Sequence, residues 1–287
     1  MLKPPRRRRF GQHFLESSWA RKVVEAVAPE PGDAFLEIGP GTGAITRPLA
    51  AAGASIIAVE VDRDLATQLA ADAIQNVTIV TGDFLQIDVL PIVFGTRPQA
   101  VARDASESRA GGRMRVVGNL PYNVSTPILF RLLDLQQETG MFVDATLMVQ
   151  REVADRLTAR PGTRDYGVLS IFVQLDAEVT RLLALPPGAF RPPPKVRSAL
   201  VRLRFRPREV SIPDADLFTS MVRQVFTRRR KTILNAVKPF ARSLGASAEA
   251  GLAIAGVRPG RRPETLQLSE LARLAAVLAA ARRRPVL

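Results

Sequence analysis

The sequence predicts an α/β fold: a mostly parallel sheet of seven strands with helices on both faces, followed by a small all-α C-terminal domain. Three observations carry that expectation. Short apolar runs alternate with helical patterns through the first part of the chain, the mark of βαβ units. A proline-rich stretch, Leu185–Lys195, separates two further strand-like runs. From Asp214 onward the apolar residues recur at helical spacing, as at Leu217, Met221 and Val225.

Taken in order, the first strand is Phe35-Leu36-Glu37-Ile38, running into Gly39-Pro40-Gly41-Thr42-Gly43. A helix follows, with Ile45, Leu49 and Ala50 on one side. Ser55 to Glu60 is the second strand, and Asp62 to Ala71 reads as its helix. Val77 to Thr81 is the third, ending at Gly82-Asp83; Met114 to Gly118 is the fourth and Ala145 to Val149 the fifth. Ala177–Leu185 and Ser198–Phe205 complete the sheet as a hairpin-like closure. Residues 97–112 have small and charged side chains without apolar period and read as a surface insertion. Arg206-Pro207-Arg208 is the natural linker. It divides the chain into a first domain, 1–207, with a basic N-terminal arm, and a helical second domain, 208–287.

Composition narrows the chemistry. The chain has no cysteine and one histidine, His13, which excludes disulfides, thiolate sites and multi-histidine metal sites; no metal is expected. No secretory signal is legible, and no apolar run approaches the roughly 18–20 residues of a membrane span. A soluble, cytoplasmic protein is the expectation. The net charge of +14 is unevenly spread. Residues 191–287 hold 21 Lys and Arg against 6 Asp and Glu, whereas residues 11–190 hold 15 against 21. A mildly acidic body flanked by basic segments is a nucleic-acid footprint, because phosphate contacts release counterions.

Glycines 39, 41 and 43 follow a strand and open a helix, so backbone amides can approach a ligand closely there. The spacing is neither that of dinucleotide enzymes nor that of a phosphate-binding P-loop. Glu60 ends the second strand, where an acid suits the two hydroxyls of a ribose. Asp83 ends the third, where a carboxylate can accept the amino group of an adenine. Adenosine without a phosphate demand points to S-adenosylmethionine. At the fourth strand end stands Asn119-Leu120-Pro121-Tyr122. The Asn119 side-chain oxygen and the Leu120 carbonyl, stiffened by Pro121, can each accept one N–H of an aromatic amine. Tyr122 can stack on the base, a contact worth roughly 1–3 kcal/mol.

These strings resemble those of the KsgA/RsmA family, dimethyltransferases of small-subunit (16S) rRNA adenines. The resemblance runs almost end to end. It includes Arg8-Arg9-Phe10-Gly11-Gln12-His13-Phe14-Leu15, Leu36 to Gly43, Val59 to Asp62, Gly118 to Pro127, Gln150 to Val153, Asp165 to Gly167, Pro186 to Val196 and Arg228 to Thr232. It implies a Rossmann-like S-adenosylmethionine-dependent methyltransferase sheet. His13, Leu15, Gly39, Gly41, Glu60, Asp83 and Asn119 would line or contact the cofactor, though the family commonly has Asn where this chain has His13. Asn119, Leu120, Pro121 and Tyr122 would hold the target adenine, and Phe190 would pack on it unless it only anchors its loop. The implied partner is small-subunit rRNA within a pre-30S particle, met by a monomer. Alternatives are a large-subunit rRNA adenine methyltransferase of the macrolide-resistance type, a DNA amino-methyltransferase, and a non-catalytic ribosome-assembly factor. Arg228, Arg229, Arg230 and Lys231 lie among the apolar positions Val222, Phe226, Ile233 and Val237 and read as a phosphate contact.

Overall fold

The computed structural model describes residues 12–95 and 114–282. The basic arm at 1–10 and the insertion expected at 97–112 lie outside the described residues. Of those described, one compact unit holds the residues up to Ala154 together with Glu178–Phe205; a second holds Asp155–Ala177 with those from Arg206 on.

The first unit opens with β1 (Phe14–Leu15) and α1 (Ser17–Val27). It continues with β2 (Ala34–Ile38), α2 (Thr46–Ala51), β3 (Ser55–Glu60), α3 (Arg63–Ala71), β4 (Val77–Thr81) and α4 (Val89–Gly95). Next come β5 (Met114–Asn119), α5 (Ser125–Thr139), β6 (Phe142–Gln150) and α6 (Arg151–Leu157). Beyond α7 (Val168–Asp176) stand β7 (Ala177–Leu185), β8 (Phe190–Arg191) and β9 (Ser198–Phe205). The sheet has seven strands in the order β4-β3-β2-β5-β6-β9-β7. From β4 to β6 the pairs are parallel, and β9 runs antiparallel to β6. The inner strands are buried on both faces, which is why they read as unbroken apolar runs.

Local chemistry fixes the element ends. Asp62 caps α3, its carboxylate accepting from the backbone N–H of Asp64 and of Leu65 at 3.0 and 3.3 Å. Gly140 ends α5 in the left-handed region at φ 64°. Gly118 is required where β5 passes β2, because a Cβ there would sit 2.7 Å from the Ile38 carbonyl oxygen. Arg115 staples α1 to the sheet. It donates to the Val27 and Ala28 carbonyls at 2.7 and 3.1 Å, to Asp33 at 2.9 Å, and to both Asp144 oxygens at 3.1 Å. Arg202 adds a 2.6 Å bond to the Ala26 carbonyl. Cations at the carbonyl end of a helix are favoured by its dipole.

The second unit comprises the last three residues of α6 together with α7, α8 (Ala215–Thr227), α9 (Ile233–Ser243), α10 (Ala248–Ile254) and α11 (Leu268–Arg282). The sequence reading placed Asp155–Ala177 with the sheet. It groups instead with the helices, because α7 turns Ile171 and Leu175 into the same apolar cluster as Phe218 and Phe226. Tyr166, wholly buried, bonds the Leu266 carbonyl at 3.2 Å from within that cluster.

Candidate active site

The C-terminal ends of β2, β3 and β5 and the turn after β4 open onto one pocket. His13, Leu15, Gly39, Gly41, Glu60, Asp83, Asn119, Leu120, Pro121 and Tyr122 all line it, so ten of the residues singled out by sequence come together. Gly39 and Gly41 have φ of 69° and 57°, conformations that suit glycine. A Cβ on Gly41 would also press on the Phe14 ring at 3.3 Å.

Glu60 ties the glycine turn to β3. One carboxylate oxygen accepts from Gly41 N–H and the other from Asp62 N–H, each at 2.9 Å. Burial raises its pKa, and those two bonds oppose the rise. Each oxygen keeps a further acceptor site. Asp83 accepts from Leu85 N–H at 2.9 Å and from the Gln86 amide at 3.2 Å.

At the tip of β5, the Asn119 side-chain amide donates to the His13 carbonyl at 2.8 Å. That bond assigns the amide its orientation: the NH₂ is committed, and Oδ1 is left as an acceptor. Tyr122 is held by a 2.6 Å bond between its hydroxyl and Ser198 Oγ, and its ring stacks on His13 with centroids 5.5 Å apart. Burial raises the Tyr122 pKa, and the bond to Ser198 opposes it. The His13 ring in turn bonds the Pro192 carbonyl through Nδ1 at 2.6 Å. Since a carbonyl only accepts, Nδ1 carries the proton.

Phe190 requires a correction. It is 1% exposed, packs in the core with Leu15, Val23 and Leu200, and does not line the pocket. It pairs across β1 and β8 with Leu15, so it anchors the N-terminal strand to the proline-rich loop instead of packing on a base.

The sequence reading did not count Glu37 or Ser198 among the site residues. Glu37 lines the pocket at 1% exposure, with Oε2 lacking a hydrogen-bond partner. Its pKa is pushed up to about 7, chiefly by burial; the Thr46 hydroxyl opposes this and the Glu60 charge adds to it. Of the charged side chains lining the pocket, Glu37, Glu60 and Asp83 are acids, and no lysine or arginine is present among the described residues.

In the second unit, Arg228, Arg230 and Lys231 are exposed and line a separate hollow with Lys238 and Arg242. They sit in the turn between α8 and α9, whose start is capped by Thr232, not within one continuous helix. Arg229 lines the hollow too, but its guanidinium is engaged by Glu264 at 2.9 Å and the Arg164 carbonyl at 2.6 Å.

Residues 5–273 match the family described as "Ribosomal RNA adenine dimethylase". The chain belongs to that family. A protein named Ribosomal RNA small subunit methyltransferase A from Xanthomonas campestris pv. campestris is 42% identical over 279 residues, 95% of this chain and 96% of that one. Its namesake from Geobacter metallireducens is 41% identical over 281 residues, 96% of each. Among solved structures, a dimethyladenosine transferase from Plasmodium falciparum superposes with a TM-score of 0.70 at 23% identity, over 91% of this chain and 96% of that one. The 23S rRNA methyltransferase ErmE gives 0.61 at 26% identity, over 93% and 99%. This family member has a seven-stranded, mostly parallel methyltransferase sheet.

Proposed function

We propose that this protein transfers methyl groups from S-adenosylmethionine to N6 of two adjacent adenosines in the 3′-terminal hairpin of small-subunit rRNA, giving N6,N6-dimethyladenosine. It is an S-adenosylmethionine-dependent rRNA adenine dimethyltransferase. The single observation that carries the mechanism is the Asn119 amide, turned by the His13 carbonyl so that Oδ1 is free beside Tyr122 in a pocket without lysine or arginine.

The pocket fits the cofactor by charge. Three carboxyl side chains and no fixed cation suit a ligand with net positive charge and no phosphate. Glu60 would hold the ribose hydroxyls and Asp83 the adenine amino group, with the backbone at Gly39 and Gly41, His13 and Leu15 closing around them. When bound, S-adenosylmethionine supplies a methyl group on a strongly electrophilic sulfonium.

The protein's own part is alignment. Adenine N6 is a poor nucleophile because its lone pair is delocalised into the ring. Asn119 Oδ1 and the Leu120 carbonyl would each accept one N6–H, favouring a tetrahedral nitrogen and its developing positive charge in the transition state. Pro121 stiffens that carbonyl, and Tyr122 stacks on the extruded base. Each transfer replaces one N6–H by N6–CH₃ and releases one proton to solvent.

The substrate is presented by RNA phosphates on Arg228, Arg230 and Lys231. We place the reaction on a pre-30S particle in the cytoplasm, carried out by a monomer; no helix among the described residues is long and apolar enough to cross a membrane. The test is to incubate the protein and labelled S-adenosylmethionine with undermethylated small subunits, then to identify the labelled nucleoside. Dimethyladenosine in small-subunit rRNA supports the proposal. Label only in large-subunit RNA or DNA, or none at all, overturns it.

A further inference from the structure

Glu37 is wholly buried, yet one carboxyl oxygen has no hydrogen-bond partner, and the residue lines the cofactor pocket. A buried, unbonded carboxylate is strongly disfavoured. Its surroundings make ionisation harder still. On β3 its direct neighbour is Ala58 and on β5 it is Val117, both apolar. From α2 the Thr46 hydroxyl, which makes no full hydrogen bond, offsets only part of this. The charged group that acts on it is also an acid, Glu60 at the end of β3, on which Asp62 acts in turn, and Asp83 after β4 lines the same pocket. His13 is the one basic side chain lining the pocket among the described residues. Arg47 of α2 is drawn off to Asp72 at 2.6 Å, and Arg115 of β5 to Asp33 and Asp144.

We infer that Glu37 is protonated in the free protein and ionises as the cationic cofactor enters, so that it becomes the counter-charge to S-adenosylmethionine and binding expels a proton. The inference rests on the cofactor reading above and adds a role for a side chain that the transfer step does not use. The balance is simple: the free protein holds Glu37–COOH, the complex holds Glu37–COO⁻ beside a cation, and one H⁺ passes to the buffer. The raised pKa agrees with this, since it places the free carboxyl's titration near neutrality. Linkage then fixes the sign. Stronger ionisation in the complex makes binding tighten as pH rises toward and through the free-state value.

Calorimetric titration of the full-length protein with S-adenosylmethionine, in two buffers of different ionisation enthalpy, reads the protons released. The wild type is expected to release close to one proton per cofactor at about pH 6, and its affinity to rise roughly tenfold from there to about pH 7.5. Glu37→Gln should release none and show a nearly flat profile. His13→Asn should still release the proton. Binding by the wild type with no proton release overturns the inference, as does release that persists in Glu37→Gln or vanishes in His13→Asn. The wild-type and His13→Asn measurements stand even if Glu37→Gln does not fold. Failure of the wild type to bind at all would instead contradict the cofactor reading.

Discussion

Replacing Glu37 by Gln puts the same buried carboxyl to a test in the free protein. Gln has the shape of a protonated carboxyl but never ionises. In the folded chain the Glu37 pKa is about 7, raised from 4.5. Its folded value therefore lies above its unfolded value, and the folded state favours the protonated form. The wild type loses stability as pH climbs from the unfolded value to the folded one, and the loss is complete above it. A shift of that size corresponds to about 3 kcal/mol at alkaline pH, of which about 2.5 kcal/mol develops between about pH 5 and about pH 8. Glu37→Gln should thus gain on the wild type by about 2.5 kcal/mol across that interval. The assay is urea denaturation followed by tryptophan fluorescence. Trp19, the only tryptophan, lies in α1 and packs against the core of the same unit as Glu37. A stability difference between the two proteins that stays constant from acid to alkaline pH would refute the reasoning.

Three further outcomes are expected. Asn119→Ala should lower methyl transfer by about 10²–10³, the usual loss for one preorganised hydrogen-bonding group, with S-adenosylmethionine affinity changed only a few-fold; single-turnover rates and calorimetry separate the two, and transfer within tenfold of wild type would remove Asn119 from the mechanism. Arg230→Ala with Lys231→Ala should weaken binding to small-subunit RNA and flatten its log–log salt dependence by about one to two units. Arg229→Ala should instead lower the stability of the helical unit by breaking its pair with Glu264, and equal salt slopes for the two variants would contradict that division. Arg115→Met should destabilise the sheet unit by about 3–5 kcal/mol, because it strands Asp144 among buried groups; a loss under about 1 kcal/mol by Trp19 fluorescence would show that Arg202 compensates.

The strands and the pocket were legible because their signals are local. Each inner strand is an apolar run that ends at a glycine, acid or amide, and a parallel sheet sets such ends side by side. Eight of the ten site residues meet at one pocket for that reason; His13 and Leu15 are brought there by the β1–β8 pair. Distant pairings left no such mark. Ser198 reaches Tyr122 across 76 positions, and Pro192 reaches His13 across 179. Phe190 looked like an aromatic aimed at a base, but its pairing with Leu15 turns it into the core. Glu37 sits in a run whose pattern says only "buried"; whether its oxygens find partners depends on neighbours from other elements. Four consecutive basic residues gave no sign that the second was committed to Glu264 and the others free to line a hollow.

The strand pair β1–β8 has a consequence for the order in which the chain acquires its site. Asn119 is oriented by the carbonyl of His13, His13 by Pro192, and Tyr122 by Ser198. A nascent chain that has emerged as far as Tyr122 already carries the glycine turn, Glu60, Asp83, the amide and the His13 carbonyl it bonds, but neither Pro192, which holds His13, nor Ser198, which holds Tyr122. Such long-range closures are the slow part of assembling a sheet. Catalytic competence therefore waits for the final strands to be made, and a chain truncated before Phe190 would keep most of the pocket's walls while its base-holding tip stayed unaimed.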